Sequence, residues 1–206
     1  CDLEPAALRR IVEQCETIGR EVKTLRAIYD EHSGLQDRFL TTGAITADLA
    51  RELSMTGMAA RATGIILGGR CYRQGYTPPP PFDRLGVRPA TDERGDVAAR
   101  VAVRFDEIFE SLRLLREMAV AMPGGQVRAE VAPVAGASGL GIVEGWRGEV
   151  VVGARIGADG RLARVHPHDP SWQAWLALEH AVMNDIVPDF PLINKSFNLS
   201  YSGADL

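Results

Sequence analysis

Hydrophobic residues near the start of the chain recur at every third or fourth position. Between Pro5 and Tyr29 this spacing forms one apolar stripe, which predicts an amphipathic helix of about six to seven turns. Proline is tolerated in the first helical turn, and His32-Ser33-Gly34 is predicted to end the helix. The stripe consists of Leu8, Ile11, Cys15, Ile18, Val22, Leu25 and Ile28.

A second long helix is predicted from about Glu93 to Met122, where Pro123-Gly124-Gly125 interrupts the pattern. Its apolar stripe has the same spacing, and its opposite face carries charges that we expect to meet solvent or another subunit. A shorter helix is predicted from Thr46 to Leu53, with Thr46 as its N-cap. The stripe comprises Val97, Val101, Phe105, Ile108, Leu112, Leu115, Ala119 and Met122, and the charged face comprises Arg100, Arg104, Glu107, Glu110, Arg113 and Glu117.

The last third of the chain changes to a pattern typical of β structure. Glu149–Ile156 and Arg161–Val165 predict a hairpin around Asp159-Gly160, which has the chemistry of a tight turn. Glu130–Pro133 is predicted as a further strand, and Ser171–Asp185 as the last helix. We therefore predict a mainly α, α+β fold in which long amphipathic helices pack with a small antiparallel sheet.

Composition narrows the class of protein. The 206 residues carry a net charge of −4, with 46% hydrophobic and 24% charged residues, which is typical of a globular chain and argues against a nucleic-acid binder. No apolar run reaches the roughly 20 residues of a membrane span. The three cysteines (Cys1, Cys15 and Cys71) favour a reducing compartment, and a chain beginning at Cys1 is expected to be cut from a longer polypeptide.

Familiar catalytic and metal motifs are missing. His166 and His168 straddle a proline and His180 lies on the next helix, a spacing that does not match a zinc site. Ser138 lies among glycines, but without the strand–turn–helix context of a nucleophile elbow. Gly139-Leu-Gly141 precedes a strand rather than the helix of a dinucleotide fingerprint. We predict no metal site and treat both glycine passages as turns.

Arg61 is the most informative single residue, because it lies among glycines and alanines. Burying a guanidinium there is costly unless a carboxylate or a ligand pairs with it. Asp92, Glu93 and Asp96 are the candidate partners for a structural clamp, the interpretation we favour. The alternative is that Arg61 presents its charge to a cofactor or a quinone-like headgroup.

The run Thr77–Phe82 contains four consecutive prolines and favours an extended polyproline II conformation. It is either a ligand for a proline-recognising domain or a rigid connector between helices. We favour the connector.

Five passages match, in order and across nearly the whole chain, the motifs of one protein family. On their order and spacing, the chain resembles the large subunit of respiratory NADH:quinone oxidoreductase and its relatives, the membrane-bound and formate-hydrogenlyase-type nickel–iron hydrogenases. The passages are Thr42–Gly64, which includes Arg61; Gly95–Leu114, which includes Asp96, Arg100, Arg104 and Glu107; Met122–Gly125; Glu144–Glu149; and Ile186–Ile193.

One departure from the family concerns the metal. Nickel-bearing relatives end in a D-P-C-x-x-C motif, and its two cysteines fall at about Ser200 and Gly203 of this chain. Neither residue supplies a thiolate, so the resemblance implies a member that has lost nickel. It further implies an iron–sulfur cluster and a quinone reached through partner subunits, with no cofactor bound by this chain alone.

The resemblance implies the C-terminal part of a large subunit that acts in electron transfer to a quinone or similar acceptor. We expect one domain over residues 1–206, helical over 1–125, β-rich over 126–170, with a C-terminal helix and tail over 171–206. Arg61 and Asp96 are the predicted site residues, orienting groups and stabilising charge.

The expected partners are an iron–sulfur small subunit and, indirectly, membrane subunits, with quinone as a candidate ligand and no nucleic acid. The expected location is the cytoplasm, or the cytoplasmic face of the inner membrane as a peripheral subunit. We expect the isolated chain to be inactive. The alternative is a structural or interaction module of the same ancestry with no chemistry of its own.

Overall fold

A computed structural model describes residues 3–66, 84–126, 130 and 132–205. The predicted polyproline segment and the cysteines at positions 1 and 71 lie outside these ranges. The elements are α1 (Pro5–Glu31), α2 (Ser33–Phe39), α3 (Ala47–Glu52), α4 (Gly57–Arg61), α5 (Val97–Val120), β1 (Ser138–Glu144), β2 (Glu149–Ile156), β3 (Leu162–His168), α6 (Ser171–Ala181), a 3₁₀ turn (Val187–Asp189), α7 (Phe190–Phe197) and a second 3₁₀ turn (Ser202–Asp205).

The two long helices, α1 and α5, pack against each other, which confirms both helix predictions. An ion pair between Arg26 and Asp106 also joins them. The contact covers only part of the predicted α1 stripe. Cys15 is buried, whereas Ile18, Leu25 and Ile28 are 44%, 58% and 57% exposed. In α5, the residues that pack most tightly lie in its first two turns.

The main core forms where α3, α4, α6 and α7 meet the start of α5. Gly95, just before α5, has a positive φ of 71°, and a Cβ there would lie 2.0 Å from the carbonyl oxygen of Ile45. Glycine therefore allows the chain before α3 to lie directly on the chain before α5, and Ile45 N–H donates to the Gly95 carbonyl at 3.1 Å. The largest buried apolar members of the core are Ile45, Met55, Ile65, Leu178, Ile193 and Phe197.

The three strands form one antiparallel sheet in the order β1-β2-β3, which confirms the predicted hairpin. The third strand, however, is Ser138–Glu144 and not Glu130–Pro133, whose described residues are outside any strand. Gly139 and Gly141 suggested a turn there. The residues between and after these two glycines nevertheless pair in register with β2; for example, Ile142 pairs with Val151. The fold is mainly helical with a small antiparallel sheet, as predicted.

The C-terminal region differs most from the prediction. α6 ends at Ala181, four residues early, and α7 follows the 3₁₀ turn as a helix that the periodicity did not reveal. After α7 the tail returns across α6, where the Tyr201 ring lies 5.1 Å from that of Trp175. Among the described residues, no helix combines the length and the apolar character that crossing a membrane requires.

Candidate functional site

Arg61 lies at the end of α4 with its side chain only 7% exposed. Its Nε donates to Glu107 of α5 at 2.6 Å, and its two terminal nitrogens form ion pairs with Glu107 and with Glu144 of β1. Glu144 is buried, with 1% of its side chain exposed. A single guanidinium thus joins a helix, a second helix and the sheet, and we call these three residues the Arg61 clamp.

The predicted partners of Arg61 were wrong, although the clamp itself is present. Asp92 instead binds the side chain of Arg94, with 3.0 Å between Oδ1 and Nε, and this bond lowers the pKa of the Asp92 carboxyl. Asp96 belongs to a separate network. Asp92 is bonded to Arg61 through the backbone, since the Asp92 N–H donates to the Arg61 carbonyl at 3.0 Å.

The clamp keeps Arg61 charged. Burial alone lowers its pKa, but the charges of Glu144 and Glu107 and their hydrogen bonds together outweigh burial and raise it. Beside the clamp lies a cavity of about 30 Å³, with Arg88, Glu110 and Ser111 among its lining residues. That volume suits one or two water molecules and is too small for an organic cofactor.

A wider, open groove of about 310 Å³ is also lined by Glu107. Its walls combine the polar groups of Arg104 and Ser111 with the apolar surfaces of Ile108 and Trp146, which are 40% and 59% exposed. The groove is therefore the accessible surface next to the Arg61 clamp, and Glu107 is common to both.

Asp96 caps the start of α5. One carboxylate oxygen accepts the Ala99 N–H at 2.7 Å, and the other accepts the Thr41 N–H at 2.9 Å. Thr41 has a positive φ of 64°, so this bond fixes an unusual backbone conformation just before α3. Both oxygens of Asp96 are thus used within the protein, and the residue is 2% exposed.

Arg100 is fully buried, at 0% exposure, although the helical pattern had placed it on a charged outer face. That expectation was wrong because α7 and the chain before α3 cover this side of α5. The guanidinium donates to the Ser196 hydroxyl at 2.8 Å, the Gly95 carbonyl at 2.7 Å and the Gly43 carbonyl at 2.9 Å. It also lies 4.2 Å from the centre of the Phe197 ring.

Within the described ranges no carboxylate pairs directly with Arg100, and its electrostatics reflect this. Its pKa is lowered to about 9, chiefly by burial; the charges of Asp96 and Asp185 raise it in part, and the positive charge of Arg104 lowers it further. Arg104 donates to the backbone carbonyl of Ser196 at 2.5 Å. Two arginines of α5 therefore hold the C-terminal end of α7.

The tail after α7 is held by hydrogen bonds to α6 and to the sheet. The Ser200 N–H donates to the Ser171 hydroxyl at 3.0 Å, and the Trp172 indole donates to the Gly203 carbonyl at 2.9 Å. Arg147, in the β1–β2 turn, donates to the carbonyl of Asn198, whose φ of 54° turns the chain out of α7.

Ser200 and Gly203, where the family resemblance is expected to place the two nickel-binding cysteines, are neighbours in this tail. The Gly203 N–H donates to the Ser200 hydroxyl at 3.0 Å. A Cβ at Gly203 would lie 2.6 Å from Cγ of Asp169, whose carboxylate is held by the Ser171 N–H at 2.8 Å. A side chain there would require the Asp169 carboxylate to move. Since neither Ser200 nor Gly203 carries a thiol, these residues do not fit a thiolate-held nickel ion.

The histidines considered above lie in two different elements. His166 and His168 lie in β3 rather than in a loop, and His180 is exposed near the end of α6. Within the ranges that the structure describes, no three histidine, cysteine or acidic side chains come close enough to hold a metal ion.

Sequence reasoning missed four residues of these networks: Arg100, Arg104, Glu107 and Glu144. The family resemblance could have identified them, since all four lie in the two passages, Gly95–Leu114 and Glu144–Glu149, that match the family's helix and strand motifs. Helical periodicity alone assigned the first three to a face that meets solvent or another subunit.

Comparison with known proteins agrees with this architecture. The family model described as respiratory-chain NADH dehydrogenase, 49 kDa subunit, matches residues 1–138. The carbon monoxide-induced hydrogenase of Rhodospirillum rubrum is 27% identical over 172 residues, which covers 83% of this chain and 46% of that protein. The membrane-bound hydrogenase subunit alpha of Pyrococcus furiosus is 26% identical over 223 residues, covering 99% and 51%.

An NADH-quinone oxidoreductase subunit from Salinibacter ruber is 23% identical over 233 residues, covering 99% of this chain and 51% of the relative. The chain therefore spans about half the length of these curated relatives. Among solved structures, a chain of the membrane-bound sulfane sulfur reductase, an archaeal respiratory membrane complex, superposes with a TM-score of 0.87 at 21% identity, covering 98% of this chain and 56% of that one. The predicted hydrogenase-like fold is confirmed.

Proposed function

The chain belongs to the family of the 49 kDa subunit of respiratory-chain NADH dehydrogenase and the related membrane-bound hydrogenase large subunits, and on that premise we propose that it acts in electron transfer. In this proposal it forms the C-terminal part of a large subunit that has lost nickel. Electrons pass from an iron–sulfur partner to a quinone or similar acceptor within a multisubunit complex.

The observation that carries the proposal is that Ser200 and Gly203 supply no thiol and are engaged within the tail. A thiolate at position 203 would need space that Asp169 occupies, and the Ser200 hydroxyl beside it already accepts a backbone hydrogen bond. Family members with this fold act in both nickel-dependent and quinone-linked complexes, and this tail supports the second group. Redox chemistry in the complex would therefore come from partner-held groups.

Arg61 and Asp96 act in this proposal as positioning residues. Neither side chain is redox-active, and each is fully engaged by protein groups. Arg61 holds the side chain of Glu107, which lines the open groove, while Asp96 fixes the backbone at Thr41. An acceptor in the groove would respond to Arg61 through Glu107.

The assembly proposed around the chain includes an iron–sulfur small subunit as direct partner and membrane subunits as indirect ones. One relative is described as a subunit of a membrane-bound hydrogenase, and a chain with the same fold belongs to a membrane-bound sulfane sulfur reductase. Both descriptions support a peripheral position at the cytoplasmic face of a membrane. Residues 1–206 are proposed as one domain of that subunit.

A metal analysis tests the main proposal. The full-length protein, purified natively with its partners, should contain no nickel, and iron should be present only when an iron–sulfur subunit co-purifies. Nickel in a one-to-one ratio with the chain would contradict the proposal. Absence of all metals and of any redox partner would favour a purely structural module of the same ancestry.

The role of Arg61 is tested by Arg61→Lys, which keeps the charge but cannot bridge two carboxylates in the same way. In the intact complex we expect slower electron transfer to a soluble quinone with unchanged iron content. Arg51→Lys is the matched control, because Arg51 is 60% exposed and, among the residues that the structure describes, pairs only with neighbouring Asp48 on α3. Equal rates in both variants would contradict a positioning role.

A further inference from the structure

Two arginines face each other directly across the sheet. Arg155 of the central strand β2 pairs in register with Arg164 of β3, and on its other side it pairs with Ser138 of β1. Directly opposed residues of antiparallel strands point to the same face, with Cβ atoms about 4.5–5.5 Å apart. The two guanidinium groups therefore project side by side from one face.

Both arginines are exposed, and within the part of the chain that the structure describes neither forms an ion pair or a side-chain hydrogen bond. Like charges placed directly opposite each other destabilise a sheet. The chain as a whole carries a net charge of −4, so the pair contrasts with the overall acidic balance of the chain. This local repulsion calls for an explanation outside the isolated fold.

Protection of a sheet edge explains only one of the two. Charged residues and prolines on an edge strand prevent unwanted pairing with other chains, and β3 carries both Arg164 and Pro167. Arg155 lies in β2, which has a neighbour on each side and no edge to protect. An external anion-bearing partner accounts for both residues.

The same face carries exposed aliphatic side chains. Alternation along β1 places Leu140 and Ile142 on the side of Ser138, and they are 67% and 40% exposed. We call the surface formed by Leu140, Ile142, Arg155 and Arg164 the Arg155 face. It combines two cations with adjacent apolar surface on a three-stranded support.

We propose that the Arg155 face is a docking surface for an acidic, partly apolar segment of a partner protein. Arginine side chains match carboxylates with two parallel hydrogen bonds, and arginine is enriched among the residues that dominate protein interfaces. The exposed leucine and isoleucine provide the apolar contact of such a segment. The positive face of a chain with net negative charge thus selects its partner by charge.

A membrane or a nucleic acid fits this face less well. Anionic lipid surfaces are typically recognised by clusters of about four to eight basic residues, and this face holds two arginines. Nucleic-acid sites need a wider basic surface that follows the phosphate backbone. Two closely spaced cations with flanking aliphatic groups suit discrete carboxylates on a protein.

The test measures binding of a labelled peptide of alternating glutamate and valine to the natively purified full-length protein, by fluorescence anisotropy. We expect binding that weakens with added salt. The double variant Arg155→Gln/Arg164→Gln should bind about tenfold more weakly, because two charge-assisted contacts are lost. The matched control Arg9→Gln/Arg10→Gln removes the same charge from an exposed part of α1 and should bind like the parent protein.

Several results would overturn the proposal. These are no binding of the acidic peptide, equal weakening in both double variants, or equal binding of a lysine–valine peptide. Binding to vesicles containing phosphatidylserine that is lost only in Arg155→Gln/Arg164→Gln would assign the face to a membrane instead. A circular dichroism melt of each variant confirms that the compared proteins are folded.

Discussion

The carboxylate of Asp96 connects two parts of the core, and its removal has an effect that can be estimated from two hydrogen bonds. In Asp96→Ala the Ala99 N–H loses its cap and the Thr41 N–H loses a charged acceptor. Loss of an N-cap typically costs about 1 kcal/mol, and loss of a hydrogen bond to a charged group about 1.5–3 kcal/mol. We therefore expect a decrease of about 2–4 kcal/mol in the free energy of unfolding.

A second variant separates the two contributions. Asparagine is as good an N-cap as aspartate, so Asp96→Asn keeps the bond to Ala99 but presents an amide N–H or a neutral oxygen to Thr41. It should destabilise by about 1 kcal/mol less than alanine. Thr46→Ala is the matched control, because Thr46 caps the short helix α3 through Leu49 N–H at 3.2 Å and does nothing else in these networks.

Urea unfolding, followed by circular dichroism and tryptophan fluorescence, measures these differences. For a chain of this size, 1 kcal/mol corresponds to about 2–4 °C in Tm, so Asp96→Ala should also melt clearly earlier. The reasoning would be refuted if Asp96→Ala lost no more stability than Thr46→Ala. It would also be refuted if Asp96→Asn were indistinguishable from Asp96→Ala.

Three further changes have defined expected outcomes. Hydrogen bonds from Arg113 lower the pKa of Glu110 below its ordinary value, so the stabilisation that Glu110 provides is present above about pH 4.5 and is lost as acid protonates it. In Glu110→Gln, acidification should therefore lower the free energy of unfolding, measured with urea, by about 0.5 kcal/mol less than in the parent protein. Arg164→Glu replaces a repulsive cross-strand pair with an attractive one and should raise stability by about 0.2–1 kcal/mol while weakening binding of the acidic peptide by about tenfold. Gly203→Ala places a Cβ 2.6 Å from Cγ of Asp169 and should lower stability by about 1–3 kcal/mol in a thermal melt.

Each of these has a control in a comparable setting. Glu13→Gln removes an exposed carboxylate from α1 and should leave the acid response unchanged. Arg10→Glu reverses a charge away from the sheet and should not change stability by more than about 0.5 kcal/mol. Gly139→Ala adds a Cβ with no atom within 4 Å, so a loss equal to that of Gly203→Ala would contradict the crowding argument.

The long helices and the hairpin were readable from local patterns. The spacing of apolar residues located α1 and α5 to within a few residues, and Thr46 was correctly identified as the N-cap of α3. These features depend on neighbours three or four positions away along the chain, which is the range that periodicity samples. The family passages, in turn, predicted the hydrogenase-like fold that structural comparison confirmed.

Short elements escaped the same reasoning because their stability comes from packing. Helices α2, α4 and α7 have between five and eight residues, too few for a distinct periodic signal. The strand β1 contains Gly139 and Gly141, which suggested turns, and only its pairing with β2 makes it a strand. Local propensity was overruled there by contacts with a neighbouring strand.

For the candidate site, the sequence by itself determined that Arg61 would need a partner and that positions 200 and 203 lack thiolates. Only the tertiary structure decided the partner, since Glu107 and Glu144 lie 46 and 83 residues away along the chain. It likewise buried Arg100 against acceptors 57 and 96 residues away. A buried charge must find hydrogen-bonding groups in space, and no pattern along the chain states which distant segments folding brings to it.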